Sequence, residues 1–142
     1  MTDRRALFVG LFGLDGLIAM VIGTFLPWLQ SGETHRNVYR AGGALRRVVG
    51  VDGIEGFALR IAPYLAISCA LVVVLYVLAS ARLAAGVGAL LGAAAAAGSI
   101  GVLRADSVGA IHPESAGPVV TLCGAIVVIV AATLTLAPAR TT

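Results

Sequence analysis

The chain has 142 residues, 59% of them hydrophobic and 12% charged, with a net charge of +3 and a mean hydropathy of +1.00. These values exclude an ordinary soluble domain of this length and place the chain in a bilayer as a single unit, residues 1–142, with no separate soluble domain left over. The positive charge is scattered, with neither a long basic run nor interleaved aromatics, which excludes a nucleic-acid-binding surface. All the basic residues are Arg, which together with the richness in Ala, Gly and Val reads as the coding bias of a GC-rich genome.

The first apolar stretch, about Ala6 to Leu26, is close to the ~20 residues that a helix needs to cross ~30 Å of hydrocarbon. Arg4 and Arg5 precede it as in a signal peptide, but "TFLPWLQ" offers no convincing small-residue cleavage site, so the stretch is expected to remain in the mature protein. Inside it, "GLFGLDGLIAM" carries Asp15, about 13 Å beyond Ala6 along a helix. An acid at that depth costs ~2.5–3.5 kcal/mol on insertion scales and is a functional residue by default. Asp15 is therefore expected to face a helix bundle, with Ala19 and Gly23 on the same side allowing a second helix to approach. Two roles fit it: a site where a proton exchanges for a cation, or a contact group that meets Ser68, Ser99, Thr121 or a partner subunit.

A lone acid in the first of four short helices resembles the small multidrug resistance transporters, in which such a residue couples proton entry to cation exit. The resemblance covers the first span. Beyond it the sequence departs from them, with a loop of some 30 residues where they have short loops, and with Asp15 where they have Glu.

"LPW" ends the first span: Pro27 stops helical pairing, and Trp28 is expected to anchor at the headgroup boundary. The long loop that follows, residues 28–60, holds Arg36, Arg40, Arg46 and Arg47 as candidate surface contacts. In "NVYRAGGALRRVV" Val38, Ala41, Leu45 and Val48 or Val49 recur with helical spacing, which predicts a short helix lying over the bundle. Farther on, Asp52 and Glu55 have the spacing of a capping box, and Pro63 predicts a kink.

Three more apolar stretches follow, Ile61 to Ala79, Leu83 to Leu103 and Gly117 to Leu136. The third span is rich in small residues: Gly88 and Gly92 form a GxxxG, and Ala94 and Gly98 repeat the spacing. Small residues four apart let helix backbones come close in lipid, so this helix is expected to be the most enclosed. Cys69 and Cys123 fall inside apolar runs without CxxC spacing and are read as small hydrophobes.

The positive-inside rule gives a divided answer, with Arg4, Arg5, Arg82 and Arg140 on one side and Arg36, Arg40, Arg46, Arg47, Arg60 and Arg104 on the other. Because Arg4 and Arg5 adjoin the first span, both termini are placed in the cytoplasm. The sequence contains no hydrolase elbow, phosphate-binding loop or zincin helix. "GETH" and "HPES" would bring Glu33, His35, His112 and Glu114 to one side of the membrane, a donor set that could hold a divalent metal ion; no cofactor is otherwise implied.

The pattern LPW, SG and RN, at Pro27, Trp28, Ser31, Gly32, Arg36 and Asn37, resembles small four-span membrane proteins of actinobacteria, including mycobacteria. That resemblance implies the topology and a cell-envelope setting and brings no activity. The expectation is an all-α membrane protein: a four-helix transmembrane bundle with a partly helical cap, in a bacterial plasma membrane. The expected role is that of a non-catalytic accessory or assembly subunit, in contact with lipid and with other membrane subunits or its own copies. The alternative is a homo-oligomeric, proton-coupled transporter or channel that uses Asp15.

Overall fold

A computed structural model describes residues 2–31, 34–37, 39, 64–104 and 111–137. They form, in chain order, α1 (Thr2–Phe25), β1 (Leu29–Ser31), β2 (Thr34–Arg36), α2 (Leu65–Leu78), α3 (Ala81–Arg104), β3 (Ile111–Pro113) and α4 (Ala116–Leu136). Three of these helices are long and apolar enough to cross a membrane: α1 from Ala6, α3 and α4. The described part of α2 has 14 residues, about 21 Å at 1.5 Å per residue. The expected short helix after Val38, the capping box and the Pro63 kink lie outside the described residues, as do Arg40, Arg46 and Arg47.

Local chemistry sets the helix ends. The last amide bond of α1 runs from Leu26 to Ile22 at 3.3 Å, after which Pro27 has no N–H to continue and disfavours helix in the residue before it. Between α2 and α3 stand only Ala79 and Ser80. Ser80 caps α3 by accepting the Leu83 amide at 3.2 Å, the N-cap to N3 bond of a serine cap. Pro118 sits in the first turn of α4, where no amide is needed.

The connections fix the topology. β1 pairs antiparallel with β2 and with β3, in the order β2-β1-β3. The sheet thus ties the C-terminal end of α1 to the N-terminal end of α4, and the two-residue α2/α3 turn lies at the opposite end, with the start of α1 and the end of α4. Around the bundle α1 packs on α4, α4 on α3, and α3 on α2, while α2 closes only loosely on α1. The core between them contains Leu17, Met20, Leu65, Cys69, Val72, Leu91 and Val128.

The tightest seam lies between α1 and α4. A Cβ built on Gly16 would stand 2.9 Å from the Gly124 carbonyl oxygen, and one on Gly124 would stand 2.7 Å from the Gly16 carbonyl oxygen and the Met20 amide nitrogen. Gly23 leaves equally little room against Thr121. Gly88 and Gly92 of α3 also lie against α4, near Val128 and Ile129, and Gly98 is buried. Yet α3 is no more enclosed than α4: a third of each is buried. The GxxxG predicts first place for α3, whereas the closest backbone approach is that of Gly16 and Gly23 in α1 to Gly124 and Thr121 in α4, and Gly117, seven residues before Gly124, seats Trp28.

Candidate functional site

The residues on which chemistry was expected lie chiefly in two places, the middle of α1 and the sheet with its neighbours. In α1 the buried positions are Gly16, Leu17, Met20, Gly23 and Thr24, which together define the face turned to the bundle. Asp15 lies five residues before Met20, about 140° round the helix from it at 3.6 residues per turn. The carboxylate is accordingly exposed, in an outward patch with Phe8, Leu11, Phe12, Ile18 and Ile22, all likewise exposed. This differs from the expectation of an inward Asp15. The reason is the drift of an i, i+4 row, about 40° per step: Ala19 is half-buried and Gly23 fully buried, so the row starts outside and ends inside. Asp15 has no hydrogen-bond or ion-pair partner among the described residues.

The polar groups suggested as partners lie elsewhere. Ser99 and Thr121 are 0% and 1% exposed, and among the described residues neither hydroxyl has a hydrogen-bond partner. Thr24 bonds the carbonyl of Val21 at 2.7 Å and stands 3.4 Å from the Tyr39 hydroxyl. Cys69 is buried and Cys123 exposed, and both are free thiols.

Trp28, expected at the headgroup boundary, is packed inside the protein at the end of α1. Its ring is 3% exposed, seated against Gly117, where any side chain on the glycine would collide with it. Its indole N–H donates to the Gly23 carbonyl at 2.8 Å, one of the carbonyls that the end of α1 leaves without a helical partner. Its own amide donates to Arg36, and its carbonyl accepts from Glu114, at 2.9 and 3.0 Å. The Pro27 carbonyl accepts the Gly117 amide at 3.0 Å. Pro27 and Trp28 thus lock the end of α1 to the start of α4 and to the hairpin, and Arg36 takes part through its backbone.

On the sheet, His35, Gln30 and His112 stand directly across from one another, so they share one face. The His35 Nδ1 lies 2.9 Å from Glu114 Oε2, a hydrogen bond that becomes an ion pair when the imidazole is protonated. His35 and His112 are separated by the width of β1, about 10 Å between Cα atoms. Among the described residues no three His, Cys, Asp or Glu side chains gather closely enough to hold a metal ion; Glu33 lies outside them.

Compared with protein-family models, with curated proteins and with solved structures, the chain finds no match.

Proposed function

We propose that the protein is a non-catalytic subunit of a bacterial cell-envelope complex, and that the outward face of α1 around Asp15 is its contact surface. On this reading all four helices cross the plasma membrane as one bundle, with both termini cytoplasmic and the three-stranded sheet on the outer side. The observation that carries it is the exposure of Asp15 amid Phe8, Leu11, Ile18 and Ile22. A carboxyl left against hydrocarbon is costly at mid-bilayer, and such groups face protein or water. Among the described residues the bundle gives Asp15 neither, so on this reading a partner helix does, presenting a basic or hydrogen-bond-donating side chain at the same depth.

The same exposure suits a second reading, a homo-oligomeric proton-coupled transporter in which Asp15 lies where identical copies meet. Native mass spectrometry of the untagged protein, gently extracted from its own membrane, separates the two. A reproducible heteromeric mass that is lost on Asp15→Asn is the expected result. A homo-oligomer whose assembly survives Asp15→Asn while proton-coupled flux in liposomes disappears would move the function to transport. A monomer, unchanged by Asp15→Leu, would sink both.

A further inference from the structure

Where α1 and α2 meet, in the half of the bundle nearest the termini, lies a cavity of about 360 Å³. That is more than twice the ~150 Å³ of an apolar cavity able to take up benzene. All four helices wall it, through residues such as Leu14, Val73, Ala85 and Ala132, and among the described residues its polar side chains are Tyr76 and Thr135. The Thr135 hydroxyl is already donated to the Ala131 carbonyl at 2.8 Å, so a guest finds almost no hydrogen bonding. Leu7, Leu11 and Val77 line the cavity and are also exposed, at 60%, 50% and 73%. The cavity is thus a cleft open sideways, toward the hydrocarbon that surrounds the bundle.

Its dimensions and its charged end identify the guest. On α1 the lining runs from Leu7 to Leu17, about 15 Å along the helix axis, which is half the ~30 Å hydrocarbon thickness and so the depth of one leaflet. At the terminal end stand Arg4 and Arg82, both exposed. Arg4 precedes Leu7, and Arg82 precedes Ala85, by three residues, a spacing that puts each Arg on the same helix face as a residue of the cavity wall. Two guanidinium groups at the headgroup end of a leaflet-deep apolar slot match a phosphate above an acyl chain, because the planar guanidinium binds phosphate oxygens in bidentate fashion. We propose that this cleft binds one anionic phospholipid, with an acyl chain between α1 and α2 and the phosphate on Arg4 and Arg82.

The inference needs the helices to lie in a bilayer but not the assembly reading, so a monomer with a retained lipid would support it while sinking that reading. The test is native mass spectrometry of protein released from bilayer discs made of equal parts phosphatidylglycerol and phosphatidylcholine with distinguishable chain masses. One retained lipid per chain is expected, with phosphatidylglycerol in excess. Ala85→Phe, which fills the slot from a half-buried position, should remove that adduct while leaving the elution volume and helical circular dichroism unchanged. Arg4→Gln with Arg82→Gln should keep the adduct and abolish the preference for phosphatidylglycerol. Equal retention of both lipids by the unaltered protein, a free fatty acid as the only adduct, or an adduct undiminished in folded Ala85→Phe would each overturn the proposal. Should Ala85→Phe fail to fold, Ala132→Leu fills the same slot from α4 and is read in the same way.

Discussion

Toward α4, helix α1 presents Gly16 and Gly23 and meets backbone atoms; toward α2 it presents Gly10 and Leu14 and meets a cavity. The difference teaches what a glycine does in each setting. Lipid is as apolar as a leucine side chain, so helices in a bilayer gain little from hiding apolar surface and associate through close packing instead. Along the α1/α4 seam Gly16, Gly23 and Gly124 face main-chain atoms that cannot rotate away, so their missing side chains are a condition of contact. Along the α1/α2 seam, a Cβ on Gly10 would meet the Tyr76 hydroxyl at 2.6 Å, the far end of a side chain that borders open space.

The largest effect should come from attacking the tight seam. Gly124→Leu pushes a branched side chain into the Gly16 carbonyl and the Met20 amide, and should cost more than the ~1–3 kcal/mol of ordinary overpacking. The expected outcome is no monodisperse protein in detergent by size exclusion; a folded variant with an unchanged melting temperature would show that the seam is not held by backbone contact. Next comes Trp28→Ala, which empties the seat against Gly117 and deprives the Gly23 carbonyl of its donor. Removing a buried Trp costs about 3–5 kcal/mol, and a fall in thermal midpoint larger than that of Trp28→Phe would separate loss of the ring from loss of the N–H. Gly10→Ala, at the loose seam, should change stability by less than about 1 kcal/mol, because the gain in helix propensity offsets the displacement of Tyr76. A collapse like that of Gly124→Leu would erase the contrast between the two seams. Smallest of all, His35→Ala removes the pair with Glu114, a largely exposed contact in the range of ~0–1 kcal/mol. Its midpoint should stay near that of the unaltered protein, and a large fall would mean that the sheet holds the seam closed.

Much of this architecture can be read along the chain because its signals are long. Among the described residues each of the four apolar runs contains a helix, and Pro27 marks the end of α1 by its missing N–H. The strands leave no such trace: three residues each are too few for an alternating pattern, and the partner of β1 that ties in α4 lies some 80 residues away. The direction of Asp15 is not legible from the Asp15, Ala19 and Gly23 row, because an i, i+4 row is not one face but turns gradually inward; the buried set Gly16, Met20 and Gly23 leaves the acid outside. The residue type of Trp28 favours headgroups, while its seat is made by a residue almost 90 positions later, Gly117. The glycine seam does have a sequence signal, the matched spacing of seven in α1 and α4, but one that a search for GxxxG passes over.

The pairing of β1 with β3 also sets an order in time. The ribosome completes Trp28 and the first hairpin long before it reaches Gly117, the floor of the tryptophan seat, and the Gly124 that α1 needs for its closest packing. Until the last helix has left the exit tunnel, α1 can be tethered in the membrane but cannot be docked. Throughout that interval the Asp15 face and the future seam are both open to neighbours. A nascent chain halted before Ala116 should therefore leave Trp28 accessible to quencher, and release past Leu136 should bury it in a single late step.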